Sequence, residues 1–272
     1  QASLADHHGP RRTVALTESN VAASVFATLA PLAVGALQRT AIGWRGALLL
    51  GVCLLAALAL GLGRARIPPA QAQARSEGRR TLPLRFWAYW LVICLCVAIE
   101  WCMAFWGTEY LARVVGFQPA AAAAAMGLFF GAVVLGRAAG SRLVRRVADE
   151  TLLWVALGIT LAGFPLFWLA PTAPLSLVGL FLTGLGVANL FPLTLAVAMG
   201  AAEGRYDAAG ARLTLAGGIA ILALPLLLGG LADRVGLVAA FAVVAALIVA
   251  AGGVLWLAGR IRQSAAPATV AA

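Results

Sequence analysis

Lysine is absent from this chain: its twenty basic residues are all arginine, set against ten acidic ones, and charged residues make up only 11% of the 272. A water-soluble domain carries about a quarter charged residues, so this chain lacks the polar surface to close a core of its size in water. Histidine is almost missing too. His7 and His8 stand side by side in a polar leader at 1–13, away from any cysteine or carboxylate cluster. No His-Glu-x-x-His, no Gly-x-Ser-x-Gly and no phosphate-binding glycine loop followed by lysine occurs. Enzyme chemistry therefore has no recognisable constellation to stand on, and neither a metal nor a cofactor is expected. The four cysteines (Cys53, Cys94, Cys96, Cys102) all lie in apolar stretches without metal-ligand or redox spacing, and read as small hydrophobes. The leader has no apolar signal-peptide core and starts at Gln1 rather than Met, which leads to the expectation of a longer or processed protein.

What is present is apolar sequence in long runs: 62% hydrophobic residues and a mean hydropathy of +0.96. Eight segments reach the roughly 20 residues needed to cross a bilayer, at 14–37, 46–63, 86–111, 120–139, 152–170, 175–199, 213–231 and 235–257. The fold class expected is an all-α, multi-pass membrane protein. A net charge of +10 would ordinarily suggest nucleic acid. Here the arginines sit at helix ends rather than on one soluble face, so no nucleic-acid partner is expected and the lipid bilayer is.

Arginines alternate between loops. Fifteen fall in one set of connections (Arg11, Arg12; six between Arg64 and Arg85; Arg142, Arg145, Arg146; Arg205, Arg212; Arg260, Arg262), and four (Arg39, Arg45, Arg113, Arg234) in the other. The positive-inside rule puts the rich set, and both ends of the chain, in the cytoplasm. The longest connection, 64–85, is rich in Pro, Gln, Ala and Arg and reads as a flexible linker. It divides the chain into 1–63 with two spans, the loop 64–85, 86–260 with six spans, and a tail at 261–272.

Two spans before a long basic loop and six after it resemble the major facilitator superfamily, whose twelve helices form two six-helix halves around a central cytoplasmic loop. Local stretches carry the same resemblance: Gly43-Trp44-Arg45; the glycine-and-arginine run from Gly136-Arg137-Ala138-Ala139-Gly140 to Arg145-Arg146; and Gly229-Gly230-Leu231-Ala232-Asp233-Arg234. Within the superfamily the chain is most similar to fucose-permease-like sugar transporters, in Glu100, Trp106 and Tyr110-Leu111, in Asn189-Leu190-Phe191-Pro192, and in Ala216-Gly217-Gly218 through Pro225. The resemblance implies the family's fifth to twelfth helices, with four N-terminal helices missing. It implies alternating access in a cell inner membrane and a small-molecule substrate, a sugar moved with protons. Proton-coupled efflux of an amphipathic compound is the alternative, though Ala30-Pro31 lacks the glycine that many drug antiporters carry before that proline. A non-transporting receptor is a third possibility, with no feature in its favour.

Glu100 is the leading candidate for chemistry. It falls near the middle of a span, where a carboxylate costs several kcal/mol unless paired, hydrated or protonated, and no partner for it is evident in the sequence. It reads as a substrate-binding or proton-exchanging group; the alternative is a structural, protonated Glu bonded across helices. Asn189, beside the helix-breaking Pro192, reads equally as a substrate contact or as interhelical glue. Trp101 and Trp106 offer faces on which a sugar ring could stack; Trp106 also suits the interfacial aromatic belt, as do Trp87, Tyr89, Trp90 and Tyr110. Arg137 is assigned to a helix end and, with Gly136, Gly140, Arg145 and Arg146, to a loop motif at a cytoplasmic gate; the bland reading of these arginines is topogenic charge. Glu18, Asn20 and Glu109 are placed near span ends, where they can reach water. The absent helices yield a direct expectation: the 272-residue chain, reconstituted alone in liposomes, gives no solute flux above protein-free vesicles, and flux at low protein density would contradict the missing-helix reading.

Overall fold

A computed structural model describes residues 14–15, 18–19, 21–23, 25–26, 37, 42–43, 45–63 and 81–264. Most of the expected first span, with Asn20 and the stretch at 30–35, lies outside the described residues. So do Trp44, the linker at 64–80, His7, His8 and the end of the tail. Among the described residues the structure is all-α, with no strand. Helix α1 is Arg45–Leu62, α2 Leu84–Arg113, α3 Pro119–Leu143, α4 Asp149–Trp168, α5 Ala173–Gly200, α6 Tyr206–Val235, α7 Leu237–Ala240 and α8 Ala242–Ser264. Among the described residues six spans, α2 to α6 and the run through α7 and α8, are long and apolar enough to cross a membrane; α1 is apolar but shorter.

The helices start and stop for local reasons. Pro83 precedes α2, and Pro119 and Pro174 occupy first-turn positions of α3 and α5, where a missing N–H costs nothing. Asp149 and Glu150 in the first turn of α4 complement its dipole. The acidic first turn starts α4 three residues before its apolar stretch. One boundary needs correcting. The run from Gly136 to Leu143, expected to belong to a loop, is the last two turns of α3. Glycine reads as a breaker in water, but within a bilayer it lets helices approach closely.

Helix α5 is the most enclosed of the spans. It carries no charged residue and packs against α4, α3, α2 and α6, while α2 packs against α6, α8, α5 and α3. The α4–α5 contact is close enough that a methyl group at Gly179 would overlap the backbone of Leu166 and Phe167, whereas one at Gly158 of α4 would meet open space. At one end of the bundle, Arg85 of α2 bonds Glu150 of α4 at 2.9 Å and Arg205 bonds the Thr81 carbonyl at 2.6 Å. This end gathers the arginine-rich turns. At the other, Tyr110, Phe164, Phe167 and Phe241 form an aromatic cluster with ring centroids from 4.5 to 6.4 Å apart. Tyr110 and Tyr89 are both 1% exposed, so neither is an interfacial belt residue. The Tyr110 hydroxyl donates to the Trp168 carbonyl at 2.5 Å, and Tyr89 shares Glu150 with Arg85. The two glycines give opposite expectations in thermal unfolding of the detergent-solubilised protein. Gly179→Ala destabilises by about 1–3 kcal/mol through overpacking, while Gly158→Ala is neutral or stabilises by up to about 1 kcal/mol. Equal midpoints would contradict the α4–α5 packing.

Candidate functional site

Proline in a helix leaves the carbonyl four residues earlier without its partner. Pro192 of α5 does this to Ala188, and the freed oxygen is taken up from outside the helix: Arg137 of α3 donates Nε to it at 3.1 Å. The same guanidinium donates from Nη2 to Glu100 Oε1 of α2 at 3.0 Å. One step along, Asn189 returns a bond, its Nδ2 donating to the Gly136 carbonyl at 2.8 Å. Residues 136 and 137 on one helix thus exchange two bonds with 188 and 189 on the other. The exchange requires near contact of backbones. A methyl group at Gly136 would lie 2.6 Å from the Ala188 Cβ, and one at Gly140 would overlap the Asn189 amide.

Arg137 therefore holds three helices at one point. The two charged side chains are 11% and 21% exposed, Arg137 the less. Among the described residues no other charge lies at this depth: α5 has none, α6 none between Leu213 and Ala232, and α8 none before Arg260. The Asn189 Oδ1 atom is buried without a hydrogen-bond partner among the described residues.

Two expectations are corrected here. Glu100, for which no partner was evident, has one, and Arg137 lies within the last two turns of α3 rather than in a loop. The pairing was hidden because the partners are 37 positions apart on neighbouring helices. A signal did exist: one lone acid and one lone base in adjacent spans, each expensive alone.

The structure brings together Glu100, Arg137, Asn189, Gly136 and Gly140 and leaves the other candidates elsewhere. Trp101 is 37% exposed, packed on Phe105 with centroids 5.5 Å apart. It sits about 100° around α2 from Glu100. Trp106 donates its indole N–H to the Pro225 carbonyl at 2.9 Å and lies over Gly229, fastening α2 to α6. It also lines a cleft of about 490 Å³ at the arginine-poor end, with Glu109, Arg113 and Asp233. Arg145 and Arg146 lie in the exposed turn after α3, where Arg145 bonds Glu18 at 2.6 Å, linking that turn to the N-terminal part of the chain.

A bundle of long apolar helices with an acid–base pair enclosed among them, beside a proline inside one helix, defines a multi-pass membrane protein built around a polar point. The family model of the Major Facilitator Superfamily matches residues 1–206, and the chain belongs to that superfamily. It is accordingly a secondary transporter in its general class, drawn from a transporter family rather than an enzyme family. No curated protein matches the chain.

The pairing predicts a specific pattern of stability. Glu100→Gln or Arg137→Gln alone strands a buried charge and costs about 3–5 kcal/mol. The double variant, Glu100→Gln with Arg137→Gln, loses less than the sum of the singles. Additive losses in reversible unfolding in micelles would contradict the pairing.

Proposed function

We propose that the protein is a proton-coupled symporter of a small polar solute, working by rocking of two six-helix halves around a site near the bilayer midplane. A sugar is the solute class that the subgroup resemblance suggests. The observation that carries this reading is the Glu100–Arg137 pair beside the carbonyl that Pro192 frees. Protonated Glu100 gives up its ionic hold on Arg137, and Arg137 is also what satisfies the freed carbonyl of α5. A change in charge at Glu100 is thereby a change in how α2, α3 and α5 are held together. Asn189 sits within this assembly. Trp101 faces outward from α2, where the other half of the transporter or lipid would meet it.

In this reading the arginine-rich end faces the cytoplasm of an inner membrane, with both ends of the chain on that side. The half preceding the 64–85 loop is completed by four further helices upstream. Arg145 and Glu18 close the cytoplasmic side. Both are more than half exposed, and such a pair is worth about 0–1 kcal/mol, weak enough to break in each cycle.

The test is uptake by the full-length protein in proteoliposomes under an imposed proton gradient. The wild type accumulates its solute only with the gradient, and accumulation falls as pH rises on the entry side. Glu100→Gln still exchanges solute across the membrane but does not accumulate it, and its rate is flat between about pH 5 and pH 8. Unchanged, gradient-driven uptake by Glu100→Gln would defeat the proton role.

A further inference from the structure

We propose that the groove between α6 and α8 at the arginine-poor end is a phospholipid site. One acyl chain lies along α6, and the headgroup phosphate sits on Arg234. The site is separate from the Glu100–Arg137 pair and independent of what the protein transports.

Helices α6 and α8 both pack on α2, and each meets the short α7 that joins them. Near that turn a groove of about 710 Å³ opens along α6. Its wall is a stripe in which Ala223, Leu227, Gly230 and Arg234 follow one another at helical spacing, with Val243 of α8 also lining it. The stripe is apolar along its run and cationic only at its end, where Arg234 stands in the last turn of α6. From Ala223 to Arg234 is eleven residue steps, about 16 Å of helix. Half of a hydrocarbon core is about 15 Å, so the groove matches the chains of one leaflet and Arg234 falls at headgroup level. Trp168 marks the same level from α4: its partly exposed indole donates to the Val238 carbonyl at 2.8 Å, as interfacial tryptophans do.

Arg234 is exposed, and among the described residues it makes no ion pair or hydrogen bond. Arg113, at the same end, is held by Glu109 one turn away. The nearest acid in sequence, Asp233, turns about 100° from Arg234, into the cleft that holds Trp106 and Glu109. A protein helix laid in the groove would have to bring its own acid to this arginine. A phospholipid carries hydrocarbon and anion at the required separation in one molecule, and a guanidinium offers several donors to a phosphate. The N-terminal part of the chain meets the bundle elsewhere, through Glu18 on Arg145 after α3, a helix that packs on α5 and α2.

The test uses the full-length protein, delipidated in a neutral maltoside detergent, with phosphatidylglycerol as probe. Retained lipid is counted by native mass spectrometry, and affinity is read from the rise in thermal midpoint with lipid concentration. Diacylglycerol of the same chains supplies hydrocarbon without phosphate; glycerol phosphate supplies phosphate without chains. The proposal expects one retained phosphatidylglycerol that neither control matches. Arg234→Gln should weaken it about fivefold, and Arg113→Gln should leave it unchanged. Gly230→Leu places its side chain in open space within the groove, so it should keep the lipid-free midpoint and lose the lipid. Arg234→Gln, at an exposed position, gives a folded variant in any case. Equal binding of either control, wild-type affinity in Arg234→Gln, an equal loss in Arg113→Gln, or retention by a folded Gly230→Leu overturns the proposal. So does a full-length protein that retains no lipid, the result expected if the N-terminal part of the chain covers the groove.

Discussion

Two opposite charges enclosed among apolar helices have to be kept together, and much of this bundle is arranged so that they are. Glu100 and Arg137 come from different helices, so α2 and α3 must present them to one another at matching depth. Arg137 has a second obligation, to the carbonyl that Pro192 frees on α5. Meeting both requires α3 and α5 to approach almost backbone to backbone, which is why Gly136 and Gly140 stand at the crossing. Asn189 closes the contact from the other side. The charge pair, the proline-freed carbonyl and the glycines are thus one device, and removing one member of the charge pair leaves the other without its partner among apolar helices.

The two ends of the bundle are built from different interactions. At the arginine-poor end, Tyr110, Trp168 and Phe241 join α2, α4 and α7 through buried rings and hydrogen bonds to carbonyls. At the arginine-rich end the ties are partly exposed ion pairs, Arg85–Glu150 and Arg145–Glu18. Exposed pairs are weak and screened by salt, whereas packed aromatic rings hold by burial and geometry. Along α2, Trp90 and Trp106 each donate an indole N–H to a backbone carbonyl of α6, so these helices are clasped near both ends. The polar point where α2, α3 and α5 meet lies between.

The six long spans were legible in the sequence because each is a single apolar run of bilayer length. Their ends were less so, since polar residues such as Asp149 and Glu150 extend a helix past its apolar part. The candidate site was half legible. Glu100 stands out as the one acid deep in a span, but its partner lies on another helix, and periodicity along one helix says nothing about which neighbour faces it. Arg137 was misassigned because glycine and arginine together resemble a loop, although in a membrane glycine marks close packing. Tyr89 and Tyr110 were placed at the interface because the same amphipathic ring serves there and in a buried hydrogen-bonded position. Trp101 looked close to Glu100 because it is adjacent in sequence, yet neighbours on a helix face different ways.

In the proton-coupled cycle we propose, Glu100 alternates between an ionised, Arg137-bound state and a protonated one. Infrared difference spectroscopy of the full-length protein in lipid, recorded across a pH titration, tests this directly. The expected result is a protonated-carboxyl band that grows as pH falls, is absent from Glu100→Gln, and titrates in step with transport. A Glu100 that stays ionised through the whole range in which transport changes with pH would contradict it.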